Sequence, residues 1–222
     1  VPARAAPQAI FFDVDGVLID SLDIKGAAFA RAFNELPHRH DEIVRFHLDH
    51  GGVTRSEKLE LIFRSVYGRA PTPDELEARV AIFATAVVDA VIAAPEIRGA
   101  SQALAQWSTR APLHAVSATP TDELVHILDQ RGLTDYFISV QGWPPKKTAA
   151  VGGLIDEHGY EPGRCVLVGD SREDLNAAAS AGVHFVQVSR SSEMDFVESE
   201  WVIRDLVGLS TAIESLLRLH TQ

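Results

Sequence analysis

The sequence predicts an α/β fold, a parallel sheet carrying an all-helical insertion. Three observations lead there. A short apolar run, Ala9 to Val14 (AIFFDV), follows an Ala/Pro-rich lead. The stretch from Ser21 to Ala94 shows helical spacing and no convincing strand. From Pro112 onward, apolar strands and helical segments alternate. Strands separated by about one helix each pair in parallel, so the core is a Rossmann-like sheet. It is assigned to residues 1–20 and 95–222, with an inserted all-helical domain at 21–94.

Each element has a local reason. In Ala9–Val14 consecutive apolar positions replace period-2 alternation, as in a strand covered on both faces. Within the insertion, Thr54 and Glu57 form a capping box that starts a helix near Arg55. Thr72 and Glu75 form another, with Pro73 at the first helical position. Leu76, Val80, Phe83, Val87 and Val91 then share one stripe. Leu113 to Ser117 (LHAVS) reads as a strand, and Thr119 and Pro120 cap a helix ending near Gly132. Tyr136 to Val140 is a strand and Thr148 to His158 a helix. Cys165 to Gly169 is a strand, followed by a helix from Arg172 to Ala181. Val183 to Val188 is the last strand, and a helix near Leu206 to Leu219 closes the sequence.

Composition narrows the function. The 222 residues are 46% hydrophobic and 23% charged, ordinary for a folded domain. The net charge of −11 opposes a nucleic-acid partner, because nothing neutralises a row of phosphates. A single cysteine, Cys165, excludes an internal disulfide and a thiolate zinc site, and reads as an inert buried thiol. The best apolar stretch, Ala84 to Ala94, is short and interrupted by Asp89, so no membrane span is expected. The opening VPARAAPQ lacks the apolar core of a signal peptide, and a cytoplasmic protein is the expectation.

Ligand sites in such sheets lie at the carboxyl ends of the strands. Here those ends carry Asp13 and Asp15, then Ser117, then Lys146 and Lys147, then Asp170 with Asp174 nearby. Converging carboxylates repel one another unless a cation sits among them, which points to bound Mg²⁺. Gly16 lets the chain turn just after Asp15. An ionised aspartate needs no base to act as a nucleophile, so Asp13 can attack phosphorus directly once its charge is screened.

DVDGVLIDS (Asp13 to Ser21), the Ser117 strand end, the Lys146/Lys147 pair and GDSREDLNAA (Gly169 to Ala178) resemble the four motifs of the haloacid dehalogenase superfamily, in its order and at compatible spacing. The helical insertion is similar to the cap of its phosphoglycolate phosphatase and β-phosphoglucomutase-like branch. The resemblance implies roles for these residues. Asp13 becomes an aspartyl phosphate, and Asp15 protonates the leaving group and then activates water. Ser117 binds a phosphoryl oxygen, and the motif lysine neutralises the nucleophile. Lys147 is favoured over Lys146 because it stands just before the helix start. Mg²⁺ is held by Asp13, the Asp15 backbone carbonyl and Asp170, with Asp174 acting through water or hydrogen bonds. The segment HGGVTRSEKLELIF (His50 to Phe63) is similar to the branch's cap specificity loop. Two glycines, a helix start, Arg55 and Lys58 make it an anion-binding feature, and Thr54, Arg55, Lys58 and Ala118 are the candidate substrate contacts.

The function implied is a Mg²⁺-dependent phosphatase acting on a small phosphorylated metabolite, with a sugar phosphate as one candidate, as a monomer or homodimer. A β-phosphoglucomutase-type phosphomutase uses the same catalytic set. A non-enzymatic phospho-acceptor or phosphate-binding protein is the alternative from another class, disfavoured by Asp15. Asp15 equally disfavours dehalogenation. His47 and His50 share a helix face but read as polar cap surface. Trp107, Trp143 and Trp201 read as core or rim packing.

Overall fold

The computed structural model describes residues 6–190, 192, 196, 198–199 and 201–219. Six parallel strands form one sheet in the order β3-β2-β1-β4-β5-β6. They are β1 (Ala9–Phe12), β2 (Leu113–Pro120), β3 (Ser139–Trp143), β4 (Cys165–Gly169), β5 (His184–Val188) and β6 (Trp201–Ile203). β1 is central, with Phe12 opposite both Ala115 of β2 and Val168 of β4. Its residues are fully buried on both faces. Ile10 and Phe12 pack with Leu104, Trp107 and Leu128, while Ala9 and Phe11 pack with Val151, Leu154 and Ala177. That double burial is why the strand reads as an unbroken apolar run. Strand order reverses direction between β1 and β4, which opens a crevice at their carboxyl ends.

The insertion between β1 and β2 begins with α1 (Leu22–Arg31), α2 (His40–Asp49), α3 (Arg55–Tyr67) and α4 (Pro73–Ala93). Thr72 and Glu75 form the complete capping box with Pro73 in the first turn, and Phe83, Val87 and Val91 of the stripe are buried. At α3 only half the box forms. Thr54 accepts from the Glu57 N–H, while the Glu57 carboxylate lies 3.8 Å from Lys146. α5 (Ala100–Ser108), which has no strong start signal in the sequence beyond Gly99, leads into β2.

Several boundaries differ from the sequence reading. β2 runs on to Pro120, and α6 (Thr121–Gln130) has Pro120 at its N-cap with no side-chain cap bond. Thr119 is not a cap, because its hydroxyl serves Asp15 instead. Tyr136 belongs to a 3-10 turn, Thr134–Tyr136, and β3 starts at Ser139, where pairing with His114 becomes available. α7 (Lys147–His158) begins at Lys147, one residue early, with Lys146 at its N-cap. α8 (Arg172–Ala181) matches its expected range. β6 has three residues on the sheet edge, too few for a periodic signal. Leu206–Gly208 is a 3-10 turn before α9 (Leu209–Leu219). Trp107 is fully buried, Trp143 stands 37% exposed and Trp201 is half-buried. Cys165 is buried, and burial pushes its thiol up to about 11.

Candidate active site

Four strand ends deliver the site. Asp13 directly follows β1 and is buried. Its Oδ1 accepts the Val14 N–H at 2.7 Å, and its Oδ2 lies 3.0 Å from Lys147 Nζ. Lys147, at the start of α7, is buried between Asp13 and Asp174 and ion-pairs with both. Burial opposes its charge, but the two aspartates outweigh burial and hold its pKa above the usual lysine value. Lys146 is exposed and points to Glu57, so Lys147 is the lysine the fold brings to Asp13.

Ser171 caps α8, accepting from the Asp174 N–H, while Asp174 Oδ2 accepts from the Ser171 N–H at 3.0 Å and from its hydroxyl at 2.5 Å. Both Asp174 oxygens are thereby committed, Oδ1 to Lys147 and Oδ2 to the helix start. Gly169 permits this, since a Cβ there would stand 2.3 Å from Asp174 Cβ. Gly16, at φ 77°, does the same for Asp170, whose Oδ2 would lie 2.2 Å from an added Cβ.

Asp13, Asp170 and Asp174 each offer a carboxylate oxygen within 4.8 Å of the others. Burial, then Asp174, raises the Asp13 carboxyl to about 7. Burial, then Asp13, raises Asp170 well above the carboxylate range. An all-oxygen donor set that resists ionising on its own, with room kept by a glycine, fits a divalent metal ion.

The Asp15 carboxylate is not part of that cluster. It accepts from Ser21 Oγ at 2.6 Å, Lys25 Nζ at 2.5 Å and Thr119 Oγ1 at 3.1 Å. Burial pushes its pKa up, but Lys25 and these hydrogen bonds outweigh burial and bring it below the ordinary value. Ser117 Oγ accepts the Thr119 N–H at 3.1 Å, which leaves its own hydrogen for a ligand.

One cavity of about 300 Å³ lies over these residues, walled by the core's Ser117, Ala118 and Asp170 and by the insertion's Gly51, Gly52, Arg55 and Lys58. Thr54 is not on its wall, and its hydroxyl serves the helix start. Arg55 reaches the cavity but ion-pairs with Glu123 of α6 at 2.5 Å and lies over the Phe83 ring. Gly51 and Gly52 dock on α8, where an added Cβ would meet Ser171 Cβ at 2.9 Å or Glu173 Cβ at 2.5 Å.

Two residues on the wall were outside the sequence reading of the site. Lys25, one turn after Ser21, carries no motif signal of its own; the fold brings it to Asp15. His47, expected on a polar cap surface, is instead buried. It is 5% exposed, lies against Phe29 and contacts Lys58 Nζ, because α2 turns it inward between α1 and α3. His50 stays half-buried, stacked on Phe46 and bonded to its carbonyl.

The haloacid dehalogenase-like hydrolase family model matches residues 7–182. The chain belongs to the haloacid dehalogenase-like hydrolase family. A phosphoglycolate phosphatase of Pseudomonas putida is 30% identical over 91% of this chain and 78% of its own length. A phosphoglycolate phosphatase of Synechococcus elongatus is 26% identical over 95% of this chain and 99% of its own length. Among solved structures, CbbY from Rhodobacter sphaeroides in complex with phosphate superposes with a TM-score of 0.70 at 21% identity, covering 94% of this chain and 99% of that one. A predicted phosphoglycolate phosphatase from Haemophilus somnus gives a TM-score of 0.74 at 20% identity, covering 92% and 97%. Among the described residues, no helix of this haloacid dehalogenase-like hydrolase is long and apolar enough to cross a membrane.

Proposed function

We propose that this hydrolase is a Mg²⁺-dependent phosphomonoesterase that forms an aspartyl phosphate at Asp13. The observation that carries the reading is the meeting of Asp13, Asp170 and Asp174 within 4.8 Å, with Lys147 Nζ 3.0 Å from Asp13. Asp13 and Asp170 would hold the ion directly, joined by the Asp15 backbone carbonyl. Asp174, with both oxygens occupied, would act through water or through its hydrogen bonds. Bound there, the ion supplies positive charge that favours ionised Asp13 and screens its approach to a phosphoryl anion.

An Asp13 oxygen attacks phosphorus, the bond to the leaving oxygen breaks, and the Ser117 hydroxyl and Lys147 hold the phosphoryl oxygens. Asp15 lines the same cavity as Asp13 and Asp170. Held ionised by Lys25, Ser21 and Thr119, it is ready to take a proton from the water that opens the acyl phosphate. To protonate a leaving alkoxide in the first step, Asp15 must first take up a proton, which the Lys25 ammonium opposes. Residues 21–94 would act as a cap over the core of 1–20 and 95–222, excluding water and reading the substrate.

The cavity volume suits a small phosphorylated metabolite, and the names of the relatives favour a short phosphorylated acid. Hydrolysis of an aryl phosphate with and without Mg²⁺, alongside Asp13→Asn, tests the reading. Metal-independent turnover, or turnover that survives Asp13→Asn, would overturn it.

A further inference from the structure

Lys25, Arg55, Lys58 and Arg172 line the cavity. Three of these cations are ion-paired, Lys25 to Asp15, Arg55 to Glu123 and Arg172 to Glu198. Lys58 differs. Its Nζ sits 3.0 Å from His47 Nδ1, 3.3 Å from the His47 carbonyl oxygen and 5.2 Å from the Phe29 ring centroid. Among the described residues no carboxylate lies within ion-pair distance of it, although it is only 2% exposed.

His47 explains how the amine is held. Its Nε2 lies 3.2 Å from the Leu22 carbonyl oxygen, which can only accept, so the ring proton is on Nε2. Nδ1 then offers its lone pair to Lys58. A neutral imidazole and an aromatic face orient the ammonium without cancelling its charge. A buried cation lacking a counter-ion is costly unless a ligand brings the anion. Burial, then Lys25, lowers the Lys58 pKa to about 7, with Asp15 and Asp170 pulling the other way, in keeping with a group that lacks a resident anion.

We propose that Lys58, positioned by His47, is the specificity site for a second anionic group on the substrate, a carboxylate or second phosphoryl group on the leaving-group side of the ester. Arg55 does not fill that role, because Glu123 already holds its guanidinium. The proposal rests on the phosphomonoesterase reading. The 300 Å³ cavity also requires the two anions to be separated by a short linker.

The test is calorimetric titration of 2-phosphoglycolate, ethylene glycol bisphosphate and 2-hydroxyethyl phosphate, whose second group is neutral, with Mg²⁺, into the Asp13→Asn protein. The same titrations are repeated with Lys58→Met or Lys58→Gln added. At least one of the two doubly functional anions should bind about 30-fold more tightly than 2-hydroxyethyl phosphate, and either Lys58 variant should cut that ratio to about threefold or less. Which anion is preferred tells a carboxylate from a phosphoryl subsite. His47→Leu should also collapse the ratio, whereas His47→Asn, with an amide oxygen to accept from Lys58, should keep most of it. Equal binding of ligands with and without the second anionic group, or a preference that survives loss of Lys58, would overturn the proposal. Parallel aryl phosphate assays on the unmodified protein separate the two readings. A charge preference without turnover supports the subsite and removes the phosphatase.

Discussion

Lys25 Nζ lies 2.5 Å from Asp15 Oδ2 and 2.9 Å from Thr119 Oγ1, so one lysine of α1 ties the turn after β1 to the end of β2. The ammonium keeps Asp15 ionised despite its burial. Lys25→Met should therefore raise the Asp15 pKa and move the acidic limb of the kcat profile, where opening of the acyl phosphate needs this base, to higher pH. A fall in kcat of roughly 10- to 100-fold should accompany it, the scale of a misplaced general acid–base group. An unmoved limb would remove Lys25 from the account.

Arg55 and Glu123 join the insertion to α6 through a contact nearly closed to solvent, with side chains 11% and 13% exposed. Glu123→Gln leaves Arg55 without its counter-charge over the Phe83 ring. The expected loss is about 1–3 kcal/mol of unfolding free energy, read from urea denaturation. A double-mutant cycle with Arg55→Met should return a coupling of about 1 kcal/mol or more. Zero coupling would mean the pair does not clamp the insertion.

The acid cluster makes opposite demands with and without metal. Asp170 is raised by burial and by Asp13, so Asp170→Asn should stabilise the metal-free protein, by about 1 kcal/mol. The same change should abolish the rise in Tm that Mg²⁺ gives the parent by mass action. Thermal scans with Mg²⁺ and with chelator check both signs. A Mg²⁺-dependent rise that survives Asp170→Asn would place the ion elsewhere.

What the sequence disclosed depended on how local each signal is. The AIFFDV run, the Thr72 capping box and the glycine at 16 act over a few residues, and the structure keeps all of them. The order of acids, serine and lysine along the strand ends was legible too, because a parallel sheet sends every carboxyl end to one edge. Lys25 and His47 were not legible. Their partners lie 10 and 11 residues away, at Asp15 and Lys58, and the contacts exist only once α1, α2 and α3 pack. Thr119 misled for a related reason. A threonine before a proline resembles a helix cap, but its hydroxyl was claimed by the distant Asp15. β6 escaped because three edge residues carry no period.

On the far side of the sheet, His114 is buried against Phe11, with Ser139 Oγ at 2.7 Å and Tyr160 OH at 3.2 Å. Burial, then neighbouring His158, lowers its pKa from 6.5 to about 4. Above 6.5 the ring is neutral in both folded and unfolded chains, and stability is intact. Below it the unfolded chain binds a proton that the fold resists, so stability is lost as the pH falls toward 4. The loss should be on the order of 2 kcal/mol. Raised Asp13 and Asp170 slope the other way, stabilising at low pH and losing that contribution as pH rises through their folded values. The informative quantity is thus the difference between the native chain and His114→Gln, in urea at matched pH. That difference should shrink on acidification; a constant difference would exclude His114 as the source.

The most direct measurement is intact and peptide mass spectrometry after acid quench of the Mg²⁺-loaded protein during turnover of an aryl phosphate. The account predicts one added phosphoryl group, mapped to Asp13 and missing from Asp13→Asn. Steady turnover with that carboxylate never modified, or the adduct found on another residue, would contradict it.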